Sequence, residues 1–223
     1  MRTIAIETSG PVGGVALVVD GKLAAEEIFE KGMVHGRELA PAIKRVSEKT
    51  NTPLESVDLI AVDVGPGSFT GLRVGLATAR GLCIALGKPI LGIASLDAMA
   101  EAARSTAGEK ALLCPVIDAK WNLLYAALYS PQRSTDFLAE KPEELVKQVP
   151  EEAIVFGSGL ENFGNLFEPR KSLGPEFAHP RPSFVGLLAE REYEAGKRQD
   201  PEKVVPLYLK QTEAEIKAKR NRE

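Results

Sequence analysis

Two cysteines, two histidines and one tryptophan stand in a chain of 223 residues, of which 6% are aromatic. Each scarcity removes a class of function. Cys83, in an apolar helical stretch, and Cys114, in a strand, lack metal-ligand spacing and read as small core residues; a disulfide between them is the alternative, disfavoured in a reducing compartment. His35 is the sole histidine of the N-terminal half, and a helical metal pair would need its second ligand one turn on, where Leu39 stands. With His179 as the other histidine and no matching carboxylate cluster, no metal site is expected. No serine occupies a nucleophile elbow, so Ser-His-Asp hydrolysis is not indicated. Positive charge is also short: 28 Lys+Arg against 31 Asp+Glu leave a formal net charge of −3. A free-standing nucleic-acid binder needs a basic face, so RNA is expected to be held by another chain. The most apolar stretch, Val74 to Ala94, is interrupted by Arg80 and Lys88, and Met1 leads directly into a strand. Neither membrane spanning nor secretion is expected, which places the chain in the cytoplasm.

What is present is ordinary globular material, 44% apolar and 26% charged, enough for one large or two small domains with a real core. The organising stretch is Ala61 to Ala85, AVDVGPGSFTGLRVGLATARGLCIA. Leu59 to Val62 predicts a buried strand, broken by Gly65-Pro66-Gly67. Ser68 or Thr70 then caps a helix that runs to about Leu86, where Gly87 and Pro89 stop it. Gly71, Gly75 and Ala79 line one face of that helix and Ala77, Gly81 and Ala85 another, so two neighbours can approach closely. One is the chain's own sheet; the other is a second helix of this chain or of a partner. A glycine-rich turn feeding a helix also presents N–H groups to anions, but GPGSFTGLR is neither a Walker sequence nor the dinucleotide fingerprint.

In chain order, Thr3–Glu7, Val15–Asp20 and Leu23–Phe29 predict an antiparallel meander. Glu7, Thr8, Ser9 and Gly10 can bind a phosphate-bound cation, or Thr8 and Ser9 can simply cap the turn. Met33 to Thr50 predicts a helix with Leu39, Ile43 and Val46 on one stripe, and Pro41 either kinks it or marks its start. Ile90–Ile93 is a strand, and Ser95 caps a helix through Ala103. The plan then restarts: a strand over Ala111–Ile117 ends at Asp118, the turn AKWN follows, and Leu123–Tyr129 pairs with it. Pro142–Gln148 predicts a helix, Ala153–Phe156 a strand, Gly157–Gly159 a tight turn and Ser183–Gly196 an amphipathic helix. Val204–Leu209 reads as extended and Glu213–Glu223 as a solvated tail. This duplication predicts an α/β chain of two pseudo-repeated lobes, residues 1–107 and 108–223, each a mixed sheet flanked by helices.

GPGSFTGLRVG at Gly65 to Gly75 carries a resemblance, joined in order by IAIETS at Ile4–Ser9, HGRELAPAI at His35–Ile43, IDA and YAALY within Ile117–Tyr129, and PLYLK at Pro206–Lys210. Together they span nearly the whole chain and resemble the bacterial TsaB (YeaZ) family. The resemblance implies an actin-like ATPase fold of the ribonuclease-H-like (ASKHA) type. It also implies a non-catalytic subunit of the complex that forms N6-threonylcarbamoyladenosine beside the anticodon of tRNAs reading ANN codons. Such a subunit pairs with and activates a TsaD-type transferase, helps recruit a TsaE-type ATPase, forms homodimers when alone, and meets tRNA only through the complex. TsaD-like proteins carry an HxxxH metal pair; His35 followed by Leu39 is what a non-catalytic paralogue should show. The interface candidates are Leu39, Ile43, Phe69, Arg73, Val74, Ala77 and Gly81. Glu7, Thr8, Ser9 and Asp118 mark a degenerate nucleotide pocket, with no cofactor held tightly and ATP or ADP expected only at the partner interface. The sequence departs from the family at Glu7, where Asp is common, and at Lys120-Trp121-Asn122, where a more polar, Arg-containing turn is usual. The alternatives are a small-molecule kinase or ATPase of the same fold, with Asp63, Glu7 and Asp118 as its acids, and a metallopeptidase, whose ligands are missing.

Overall fold

The computed structural model describes residues 1–29 and 35–209. Strands β1 (Arg2–Glu7), β2 (Gly14–Val19) and β3 (Lys22–Ile28) form the expected meander, and helix α1 (His35–Lys49) follows. Its expected start at Met33 lies outside the described residues. Pro41 sits within α1, six residues after its first residue, where the helix continues through it. β4 (Leu59–Gly65) then pairs parallel to β1, and β5 (Ile90–Ala94) pairs parallel to β4, giving a five-stranded sheet of order β3-β2-β1-β4-β5. Between β4 and β5 runs α2 (Phe69–Leu86).

Strand alternation divides this sheet's two faces. Ile4, Ile6, Val15, Leu17, Ile60 and Val62 pack beneath α1 and α2 with Leu39, Ile43, Val46, Leu76 and Ala79. Ala5, Ala16, Ala61, Leu91 and Ile93 face the other way, onto α6 (Pro182–Glu194) through Val185 and Ala189. Gly186 is required there, because a Cβ would lie 2.7 Å from Val18 Cγ2 and 3.1 Å from Ala5 Cβ.

The second sheet contains β6 (Leu113–Asp118), β7 (Leu124–Ala126), β8 (Leu138–Glu140) and β9 (Ile154–Phe156), in the order β8-β7-β6-β9. Its three antiparallel strands and one parallel partner repeat the pairing of β3, β2, β1 and β4. Helix α4 (Pro142–Gln148) occupies the place of α1, and the single turn α5 (Leu160–Phe163) the place of α2. The pseudo-repeat is therefore real, and β8, too short to show a period in sequence, completes it.

Helix α3 (Ser95–Ala107) lies between the sheets: Leu96, Met99, Ala100 and Ala103 pack on Leu113, Tyr125 and Tyr129. Its Arg104 donates to the carbonyls of Glu109, Ala111 and Pro131, tying the helix end to the second lobe. Ser95 does not cap this helix; its hydroxyl donates to Asp63 Oδ1 at 2.7 Å.

The expected second unit, residues 108–223, is not one packing unit. From α6 onward the chain returns to the first sheet. Buried Glu190 of α6 accepts from Thr3 Oγ1 at 2.9 Å and from Gly21 N at 2.6 Å. Val204 enters the core beneath α2, and Leu207 N donates to Val64 O at 2.6 Å. Sequence periodicity cannot show this, since an apolar stripe does not say which sheet it covers. The tail over Glu213–Glu223 lies outside the described residues. Cys83 and Cys114 are free and buried in separate cores, as small apolar residues should be.

Candidate interaction helix and a buried acidic pair

Helix α2 begins where the sequence marks it. Ser68 is its N-cap, accepting from Gly71 N at 3.3 Å, and Gly87 ends it in the left-handed region at φ 62°. The Gly71, Gly75, Ala79 face is the inward one. It lies on the turn after β1: a Cβ on Gly71 would overlap the Thr8 carbonyl, one on Gly75 the Thr8 hydroxyl, and one on Gly67 the Ser9 carbonyl. Thr8 Oγ1 donates to Gly71 O at 2.8 Å, and Ser68 N donates to Ser9 O at 2.6 Å. The glycines are thus spacing for a backbone-on-backbone contact.

The residues of the expected nucleotide pocket lie in both lobes. Thr8 and Ser9 pack against the start of α2, while Glu7, also buried, shares the strand face of Ala5 on the other side of the sheet. Asp118 sits at the end of β6 in the other sheet. It is bonded to Lys120 Nζ at 2.8 Å and Asn162 Nδ2 at 3.2 Å, partners of its own lobe. Glu7, Thr8 and Ser9 thus belong to the first lobe and Asp118 to the second. Among the described residues no cluster of three or more metal-ligating side chains occurs; the side chain of His35 lies outside what is described.

What the buried turn does hold is a pair of acids. The β1–β4 register runs Thr3 beside Leu59 through Ile6 beside Val62; Glu7 and Asp63 are the residues that follow this last pair, and the charge of Asp63 acts on Glu7. Glu7 Oε1 accepts from Ser9 N at 2.5 Å and Ser9 Oγ at 2.6 Å. Asp63 Oδ1 accepts from Gly65 N at 2.6 Å and Ser95 Oγ. The remaining oxygens, Glu7 Oε2 and Asp63 Oδ2, are buried without a hydrogen-bond partner. Burial, and then the charge of Asp63, hold the Glu7 carboxyl well above the ordinary carboxylate range; burial pushes Asp63 up to about 7. Asp118 goes the other way: partial burial opposes its ionisation, but the bonds from Lys120 and Asn162 outweigh it and lower its pKa.

The opposite face of α2 is bare. Arg73, Ala77, Gly81 and Ala85 recur every four residues and are exposed, and Ile84 beside them is 81% exposed. Among the described residues α2 is the one helix with the length and hydropathy of a membrane span, although only a third of it is buried. Its N-terminal end carries a small cluster: the Arg73 guanidinium lies 3.8 Å from the Phe69 ring centre, Tyr208 packs on Phe69 at 4.8 Å, and Arg73 Nε donates to Tyr208 Oη at 3.2 Å. Arg80 turns the other way, donating to the carbonyls of Pro201, Glu202 and Val204 and fixing the returning segment alongside the helix.

The expected interface residues therefore separate. Phe69, Arg73, Ala77 and Gly81 share the open side of α2, with Phe69 half-buried. Leu39 and Ile43 do not belong there: they are core residues of α1, 2% and 4% exposed, because the apolar stripe of a surface helix faces its own sheet. Val74 is half-buried against the same core, so a charge there would damage the seat of α2 as well as its surface. Ile84 and Tyr208 were missing from the sequence-based set. Ile84 follows Gly81 by three residues and was legible as part of the stripe; Tyr208 was not, since its position depends on the chain's return.

A family model described as TsaD, tRNA N6-adenosine threonylcarbamoyltransferase, matches residues 31–189. The chain belongs to that family, on its TsaB (YeaZ) branch. The TsaB protein "tRNA threonylcarbamoyladenosine biosynthesis protein TsaB" of Bacillus subtilis is 28% identical over 97% of this chain and 97% of its own length. The protein of that name from Escherichia coli is 27% identical over 94% of this chain and 95% of its own. The solved structure of YeaZ from Pseudomonas aeruginosa superposes with a TM-score of 0.82 at 24% identity, covering 93% of this chain and 100% of that one. The two-lobe α/β architecture is thus that of the solved YeaZ structure.

Proposed function

We propose that this chain acts in tRNA threonylcarbamoyladenosine biosynthesis as a non-catalytic subunit. In this reading it pairs with a TsaD-type transferase through the open face of α2. The names of its relatives support the pathway. The bare stripe of Arg73, Ala77, Gly81, Ile84 and Ala85 carries the pairing: a long apolar helix with one face on its own sheet leaves the other for a partner helix. Small residues let two helix backbones approach closely, while Arg73 and Tyr208 supply a polar, aromatic edge. The chain acts by binding: burying α2 favours the partner conformation that receives it, a coupling of free energies without chemistry in this chain. The Thr8–Ser9 turn, packed against the start of α2, supports that reading over a kinase of the same fold. The same face serves a homodimer when the partner is absent, and the TsaE-type ATPase joins the assembled pair, which also holds the tRNA.

Size-exclusion chromatography with light scattering, on the chain alone and mixed with the same organism's TsaD-type paralogue, tests this. A heterodimer that Gly81→Glu weakens by at least about a hundredfold, as expected for a charge buried without a counter-charge, supports it. Unchanged association of that variant, or ATP turnover by this chain alone, refutes it.

A further inference from the structure

The Glu7 and Asp63 carboxyls lie at the ends of neighbouring parallel strands, each with one oxygen tied to its own turn and one buried oxygen unpartnered. We propose that the two share a single proton, and that this proton is a catch holding together the two turns on which α2 is seated. A carboxylic acid is a donor as well as an acceptor, so one proton between Glu7 and Asp63 lets one free oxygen donate and leaves the pair with one negative charge. Two buried carboxylates at neighbouring positions cannot both ionise cheaply, and the charges acting on them are themselves acidic: Asp63 on Glu7, and Asp97 on Asp63.

The surroundings make the pair a hinge point. Glu7 closes the Ser9 turn and Asp63 closes the Gly65 turn. Those turns touch each other through Ser68 N and Ser9 O, at the first residues of α2. Loss of the shared proton sets two like charges against one another at the base of the two turns that make this contact, and parting the turns is the direct relief. Rising pH therefore loosens the α2 seat, and falling pH tightens it; the catch operates in the isolated chain, with or without a partner on α2.

Other ionisable groups near the pair are few. On α3, Asp97 is bonded to Tyr129 Oη at 2.7 Å and lies in the field of Arg133. His179 lies beside the first turn, its Nδ1 3.6 Å from where a Gly10 Cβ would stand. On α2 the nearest charge, Arg73, is exposed on the far face, and the returning segment contributes the Leu207 carbonyl, 3.2 Å from a Gly65 Cβ position, and Tyr208. His179 carries an imidazole beside the first turn, so it needs its own control.

The test is a 13C titration of the side-chain carboxyls of the intact chain by NMR, with amide exchange at Ser9, Gly65 and Ser68 followed over the same range. In the wild-type chain one carboxyl of the pair should remain protonated at about pH 6, and protection of those amides should fall at least about tenfold by about pH 8 after correction for intrinsic exchange. Glu7→Gln, whose amide can donate to Asp63 without titrating, and Asp63→Asn should both flatten that fall, while His179→Gln should leave it. Both carboxyls ionised at about pH 6, a fall kept by Glu7→Gln and lost by His179→Gln, or stoichiometric Mg²⁺ or Ca²⁺ shifting both resonances would each overturn the proposal. The wild-type titration decides the matter even if a variant folds poorly.

Discussion

The two lobes repeat one plan and put it to opposite uses. In the first, β1 ends in Glu7, and the turn after β4 feeds an 18-residue helix whose glycines rest on Thr8 and Ser9. In the second, β6 ends in Asp118, and the Gly157-Ser158-Gly159 turn after β9 feeds a helix of 4 residues. In the first lobe Glu7 and Asp63 are buried, with Asp63 bonded to Ser95 of α3; in the second, Asp118 stays within reach of Lys120 and Asn162. The same motif thus yields a raised carboxyl pKa in one lobe and a lowered one in the other. Burial decides the sign, because desolvation penalises the charge wherever no opposite charge compensates it.

The sharpest way to break this contrast is to pry α2 from its turn. Gly71→Ala sets a Cβ against the Thr8 carbonyl, which is backbone and cannot swing away, and should cost about 3 kcal/mol in denaturant unfolding. Gly164→Ala, in the second lobe beside α5, meets only Leu160 Cβ at 3.8 Å and should stay within about 1 kcal/mol of the parent.

The acid pair and Asp118 should next separate by pH. A carboxyl whose folded pKa is raised stabilises the fold below its unfolded pKa and loses that contribution as pH rises through the folded value. For Asp63 the window runs from the ordinary 3.8 to about 7. Thermal melts should therefore weaken across that window, and Glu7→Gln should flatten the slope. Asp118, with its pKa lowered, behaves oppositely: its contribution is present above 3.8 and is lost as pH falls below it, so Asp118→Asn should alter only the acid limb.

A smaller effect distinguishes the faces of α2. Gly81 has open space around its Cβ position, so Gly81→Ala should stabilise the isolated chain by about 0.5–1 kcal/mol while Gly75→Ala destabilises it. The smallest expected change is at the second hairpin. Trp121 is 76% exposed at φ 58°, between Lys120 and Asn122, which share its left-handed backbone. Trp121→Gly should change stability by no more than about 1 kcal/mol, since the strain it relieves offsets the contact it loses.

Much of the fold was legible along the chain. The break at Gly65-Pro66-Gly67, the Ser68 cap and the Gly87 stop bound α2 closely, because turn and cap chemistry acts within a few residues. The repeat of an apolar strand, an acid and a turn announced two lobes. Ser95 was misread for the complementary reason: its residue type suits a cap, but its hydroxyl is claimed by Asp63, 32 residues away in sequence. Leu39 and Ile43 were placed at the interface because a helical stripe shows that a face is covered and not by what. Glu7, Thr8 and Ser9 suited a phosphate loop by type; in the fold Thr8 and Ser9 carry the start of α2 and Glu7 meets Asp63.

By itself, then, the sequence determined most of the elements, the cap and stop of α2, the pseudo-repeat and the family, which follow from local dihedral limits, side-chain period and motif order. Only the tertiary structure decided which smooth face of α2 lies inward, that α6 and the segment through Leu207 return to the first sheet, and that Glu7 and Asp63 meet in a dry site. Those depend on contacts between residues far apart in the chain, where packing and desolvation act and local pattern carries no information.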